Sequence, residues 1–132
     1  MKTLAVIVLS WNGAALTRDA LTSLAACRMP AGWQRHTLVV DNASNDGSPA
    51  MVRGEFPAVE LVALAENRRF AGGNNAGLER ALSAGADAVM LLNNDVVADP
   101  GMIEKLLAAL AEEPAAGAAA PLIYHAPPSD RI

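Results

Sequence analysis

Asn93-Asn94-Asp95 follows directly on five apolar residues, Ala88 to Leu92, and puts one carboxylate and two amides where a buried segment ends. A lone carboxylate with amide neighbours suits a divalent cation, because Mg²⁺ is held by one or two carboxylates together with substrate phosphates and water. The charges argue the same way. A carboxylate about 4 Å from a phosphate oxygen repels it by about 4 kcal/mol at an effective dielectric of 20, and a cation between them reverses the sign. Asp95 is therefore the candidate metal ligand, with capping of a turn as its plainer alternative.

A second group complements it. Gly72-Gly73-Asn74-Asn75 reads as a helix start, with free backbone N–H groups and two amide side chains for an anion. Arg68 and Arg69 precede it and supply charge for phosphate oxygens. The segment is neither a Walker A loop nor a G-x-G-x-x-G fingerprint, since Gly-Lys-Ser/Thr is absent and the glycine spacing differs. Its alternative is tight packing of helix on strand, the reading that suits Gly77 taken alone.

Asp41 suits a base N–H or a ribose hydroxyl, or else an Asx turn with the Asn-Ala-Ser that follows. Asp46-Gly47 reads as such a turn only, and Asp99, before Pro100, as the N-cap of a helix. Trp11 either stacks on a base or covers the sheet edge. His36 and His125 lack metal-ligand spacing, and the single Cys27 excludes a disulfide framework and a cysteine-based metal site.

The elements that must position these residues alternate. Continuous apolar runs suit strands buried on both faces: Leu4–Leu9, Thr37–Val40, Val59–Leu64 and Ala88–Leu92, with a weak last strand over Gly117–Tyr124. Helices are expected over Ala14–Cys27, from Ser48 (N-cap) and Pro49 to about Glu55, from Ala71 to about Ser83, and from Asp99-Pro100 with Ile103, Leu106, Leu107 and Leu110 buried. The alternation implies βαβ units, hence an α/β three-layer sandwich with a mostly parallel sheet. Parallel strands bring Ser10–Asn12, Asp41–Asp46, Asn67–Arg69 and Asn93–Asp95 to one sheet edge, where open α/β sheets bind ligands.

Composition sets the bounds. The 132 residues are 52% hydrophobic with a net charge of −4, which fits one globular domain (residues 1–125 with a tail over 126–132) and opposes a general nucleic-acid binder. No stretch nears the roughly 20 apolar residues of a membrane span, and a cytoplasmic setting is the expectation.

The motifs Val6-Ile7-Val8-Leu9-Ser10-Trp11-Asn12, Val39-Val40-Asp41-Asn42-Ala43-Ser44-Asn45-Asp46-Gly47-Ser48, Asn67 to Gly77 and Leu91-Leu92-Asn93-Asn94-Asp95 resemble family 2 glycosyltransferases of GT-A fold, in a rhamnosyltransferase-like branch. The resemblance implies transfer, with inversion, from a nucleotide-diphosphate sugar (a dTDP- or UDP-sugar) to a glycan or lipid-linked acceptor in envelope polysaccharide assembly. It implies nucleoside contacts from Ser10, Asn12 and Asp41, and a divalent cation (Mg or Mn) with diphosphate at Asn93-Asn94-Asp95, the counterpart of an Asp-x-Asp motif whose first Asp is here Asn93. With these, Trp11, Asn67, Arg69, Gly73, Asn74, Asn93 and Asn94 complete the expected nucleotide contacts, with Asp95 as the metal ligand. Nothing after Gly117 resembles the acceptor half that carries the family's general base. The expectation is a donor-binding part that binds its donor with little transfer, at the inner face of a membrane, and self-associates as a homodimer. A non-catalytic assembly module is the rival reading, and a nucleotidyltransferase is disfavoured because Ser10-Trp11-Asn12-Gly13 is not a basic, Gly-rich loop.

Overall fold

The computed structural model describes residues 1–125; the tail expected over 126–132 lies outside them. Four strands form one wholly parallel sheet: β1 (Lys2–Ser10), β2 (Trp33–Asp41), β3 (Glu60–Ala63) and β4 (Ala88–Asn93), in the order β3-β2-β1-β4. The helices between and after them are α1 (Ala14–Ala25), α2 (Ser48–Glu55), α3 (Arg69–Ser83) and α4 (Met102–Glu112). Strand alternation divides β1 between two cores. Leu4 and Val6 pack with Leu24 of α1 and Ile103 of α4, and Val8 packs with Leu21 of α1 and Val52 of α2. Ala5 and Ile7 face the other way, towards Leu38, Val40 and Ala81 of α3. The result is the expected three layers, helix, sheet and helix.

The order places a switch between β1 and β4: the chain builds outward through β2 and β3, then returns to the opposite side of β1. Loops diverge there and leave a crevice at the carboxyl ends of the strands. Register fixes what stands beside it, with Ser10 opposite Asp41 and Leu9 opposite Asn93.

Several expectations are corrected. Ala88–Leu92 is a strand, but it is an edge strand, half-buried along its length, and Leu91 is 50% exposed. The internal strands are β1 and β2, each with neighbours on both sides, and β1 packs against helices on both faces. Gly117–Tyr124 forms no strand, and Leu122, Ile123 and Tyr124 stand exposed. Pro121 has no N–H for a ladder, and the Ala118-Ala119-Ala120 run before it offers little side chain to pack. Ser48 is the first residue of α2 and Gly47 its N-cap, in a left-handed conformation at φ 87°. Asp46 receives the Ser48 N–H at 3.0 Å and also the Ser48 hydroxyl, which holds its carboxyl below the usual carboxylate range. Asp99 accepts the Gly101 N–H at 2.9 Å in an Asx turn, so α4 starts at Met102, with Ile103 alone fully buried on it. Among the described residues, no helix is long and apolar enough to cross a membrane.

Candidate functional site

A cleft of about 700 Å³ opens at the switch between β1 and β4. Leu9 and Trp11 line it from the end of β1, Asn42 from the end of β2, and Asn93, Asn94 and Asp95 from the end of β4. Asn67, Arg69 and Phe70 close it from the start of α3. The volume lies within the range of ligand pockets, roughly 300–1,000 Å³. Among the described residues its charged groups are one guanidinium, Arg69, and one carboxylate, Asp95.

Of the residues expected at the site, Trp11, Asn67, Arg69, Asn93, Asn94 and Asp95 meet on this cleft. Trp11 is 57% exposed and lines the cleft, a position that leaves it open to the cavity. Asp95 is exposed and enters no hydrogen bond among the described residues, which leaves its oxygens available. The donor set fits a divalent cation only when a substrate contributes. One carboxylate with flanking amides matches a site completed by phosphate oxygens, whereas the described residues hold no cluster of three His, Cys, Asp or Glu for an all-protein site.

Ser10 is buried, and its hydroxyl shares a 2.8 Å hydrogen bond with that of Thr17, on the α1 face of the sheet. Asn12 Oδ1 accepts the Asn45 N–H at 2.8 Å, and its own N–H donates to Ser44 Oγ at 2.9 Å. Its side chain stitches the β1 loop to the β2 loop. Neither residue lines the cleft.

Asp41 does two things. Oδ2 accepts the Ser44 N–H at 2.9 Å, closing the turn that places Ala43 at φ 64°, whereas the buried Oδ1 has no partner in the structure. A buried acceptor left without a donor calls for a physical explanation. It stands at the ligand edge of the sheet, beside Ser10 in register.

The glycine-rich segment also differs from expectation, because α3 begins two residues early, at Arg69. The Gly72 and Gly73 N–H groups then lie inside the helical ladder and are not free. Gly73 is a packing residue: a Cβ there would collide with Leu9 Cδ1. Asn74 turns its amide back to the Phe70 carbonyl at 3.0 Å and does not line the cleft. The first N–H groups of the helix are already capped, Arg68 by Asn42 Oδ1 at 2.7 Å and Arg69 by Asn67 Oδ1 at 2.7 Å. Phe70 and Ala71 retain the free donors of this first turn.

Asn42 and Phe70 also line the cleft, and the sequence reading left them out of the candidate site. Asn42 is 3% exposed, and its amide grips the helix start from both ends, accepting from Arg68 N–H and donating to the Arg69 carbonyl at 3.0 Å. Arg69 needs that grip, since it sits at φ 58°, where side chains with a Cβ are disfavoured. The available signal was position, the first residue past a strand end, but an amide looks alike in sequence whether it binds ligand or backbone. Asn42→Ala leaves two backbone groups without their side-chain partner and should lower the unfolding free energy by about 2–3 kcal/mol. Urea denaturation measures this, and a loss within about 0.5 kcal/mol, as for an ordinary surface change, would refute the role.

With the geometry established, similarity to known proteins sharpens it. TarS from S. aureus has the same fold, with a TM-score of 0.69 and 23% identity over 85% of this chain and 20% of its own. Its 1–349 fragment in complex with UDP-GlcNAc gives the same score and identity over 32% of that chain. The mannosyltransferase PcManGT from Pyrobaculum calidifontis, in complex with GDP-Man and Mn²⁺, matches at TM-score 0.69 and 26% identity, over 83% of this chain and 32% of its own. The chain thus spans a fifth to a third of the length of these structures. No curated protein sequence matches it. Residues 5–132 match the sequence model of the family described as Glycosyl transferase family 2. By that match, over nearly its whole length, the chain belongs to glycosyl transferase family 2.

Proposed function

We propose that this chain forms the nucleotide-sugar-binding part of an inverting glycosyltransferase, in a rhamnosyltransferase-like branch, whose acceptor is a glycan or a lipid-linked glycan. The observation that carries the reading is the cleft at the sheet switch, where Arg69 and Asp95 line one cavity large enough for a nucleotide. In this arrangement the base lies against Trp11 on the cleft wall, and Asp41, buried behind that wall, holds the β2 loop through the Ser44 N–H. The diphosphate spans from Arg69 and the free N–H groups of Phe70 and Ala71 towards Asn93 and Asp95. Arg69 meets the phosphate oxygens with charge-assisted hydrogen bonds. A divalent cation held by Asp95 would neutralise diphosphate charge as the sugar–phosphate bond breaks. The acceptor oxygen bonds to the anomeric carbon as the sugar–phosphate bond breaks on the opposite face, which inverts that centre. The nucleoside diphosphate leaves, and a general base outside this donor-binding part takes the hydroxyl proton.

The Mn²⁺ and GDP-Man of the mannosyltransferase complex support a metal-assisted donor site, and the UDP-GlcNAc complex of TarS supports a nucleotide-sugar ligand. Thermal unfolding with UDP, dTDP and GDP, each with Mn²⁺ and with EDTA, tests the reading. A nucleotide at about 100 times its dissociation constant stabilises by about 2.7 kcal/mol. One nucleotide should raise the melting temperature in Mn²⁺ and lose most of that effect in EDTA. Unchanged melting with all three nucleotides would reject donor binding and favour the non-catalytic assembly module.

A further inference from the structure

Three distant chain segments converge on one buried hydroxyl beneath the cleft. Thr17, in the first turns of α1, is fully buried, and its Oγ1 pairs with Ser10 Oγ of β1 at 2.8 Å. The same oxygen accepts from Asn94 Nδ2 at 3.1 Å, across 77 residues of sequence. Asn94 is the first residue beyond β4 and immediately precedes Asp95. A second feature makes room for this contact: a Cβ on Gly13 would lie 2.8 Å from Asn94 Nδ2. Gly13 has φ −136°, a value open to any residue, so clearance for the Asn94 amide, and not backbone freedom, explains a glycine there.

We propose that Thr17 is a positioning residue for the cation- and diphosphate-binding turn, anchoring the Asn94 amide so that Asp95 is presented to the cleft in one orientation. The part of this inference that concerns the cation rests on the donor-binding reading above. The division of labour within Asn93-Asn94-Asp95 follows: Asn94 holds the turn from below, and Asn93 and Asp95 face the donor. Thr17 suits this task because a hydroxyl accepts from the amide and still shares its proton with Ser10. Valine has the same shape, and would leave the Asn94 amide and the Ser10 hydroxyl without partners in a buried place.

Two variants reach the anchor by different routes. Thr17→Val removes the acceptor, and Gly13→Ala pushes the Asn94 amide away while leaving Thr17 intact; Thr17→Ser keeps the hydroxyl. Hydrogen exchange of the Asn94 side-chain amide in the ligand-free chain, read by NMR, should quicken about tenfold in the first two variants and stay near wild type in Thr17→Ser. UDP, dTDP and GDP are the binding probes. In Mn²⁺, affinity for the nucleotide that wild type binds should fall about tenfold in Thr17→Val and Gly13→Ala, the usual scale for a group that orients a metal ligand. In EDTA it should be unchanged, a split that general loosening of the fold would not produce. Wild-type exchange of the Asn94 side-chain amide in both variants would overturn the anchor. So would equal losses in Mn²⁺ and EDTA. If wild type binds none of the three nucleotides, the donor-binding reading fails, and the exchange comparison still decides the anchor by itself.

Discussion

Asp95→Ala should abolish the Mn²⁺-dependent part of nucleotide binding while leaving the fold and its melting temperature unchanged. The stability half follows from position. Asp95 is exposed on a turn past an edge strand and enters no hydrogen bond among the described residues, so its removal belongs with surface changes of about 0.5 kcal/mol or less. The binding half follows from charge. Asp95 is the one carboxylate on the cleft wall, and no cluster among the described residues stands ready to replace it. Without it a divalent cation has only amides and the nucleotide itself, and affinity in Mn²⁺ should drop by roughly 100-fold, or about 2.7 kcal/mol.

The same charge predicts a crossover. With the cation chelated, Asp95 faces a diphosphate unscreened and repels it, by up to about 4 kcal/mol at 4 Å and an effective dielectric of 20, less where salt screens an exposed group. Asp95→Ala should therefore bind nucleotide at least as tightly as wild type in EDTA, and far more weakly in Mn²⁺. Asp95→Asn should follow the alanine variant in EDTA and retain a small metal response. Isothermal titration in the two buffers reads all of this. Parallel losses in both buffers would assign Asp95 to the nucleotide directly and remove the metal from the argument.

The layer order and the ligand edge were legible in the sequence because they depend on hydrophobic runs and on where those runs stop. Leu4–Leu9 and Thr37–Val40 end in Ser10 and Asp41, and parallel pairing sets these side by side. Burial was less legible. A continuous apolar run does not say how many neighbours a strand has; among the described residues β4 has a partner on one side only, and Leu91 stands half-exposed. Side-chain direction was the least legible. Ser10, Asn12 and Asn74 have the right chemistry at the right edge, yet each is turned onto the protein itself, Ser10 to Thr17, Asn12 to Asn45 and Asn74 to Phe70. A polar residue at a strand end serves either the ligand or the loop that holds the ligand, and spacing alone does not separate the two. Asn42 shows the converse: an amide on the cleft wall whose two hydrogen bonds both go to backbone.

Gly77→Val should destabilise the fold by about 3 kcal/mol, although valine is an ordinary helix residue and glycine a poor one. Gly77 faces the centre of the sheet, where a Cβ would lie 2.6 Å from Ile7 Cγ2 and 3.0 Å from Val40 Cγ2. Both neighbours are fully buried and β-branched, so neither has a free rotamer to yield. Something larger must move, and the unit that can move is α3 itself, which carries Arg69 and Phe70 at its start. Gly77→Ala sets two effects against each other, a gain of about 1 kcal/mol in helix propensity and an overpacking cost of about 1–3 kcal/mol, and packing should win. Gly54 provides the control. It is also helical, has nothing within 4 Å of an added Cβ, and Gly54→Ala should stabilise by a few tenths to about 1 kcal/mol. If urea denaturation shows Gly77→Ala stabilising as Gly54→Ala does, α3 does not depend on close approach to β1 and β2. If Gly77→Ala destabilises and also weakens nucleotide binding, the spacing of helix from sheet sets the width of the cleft, because the residue that fixes the packing and the residues that line the site share one rigid helix.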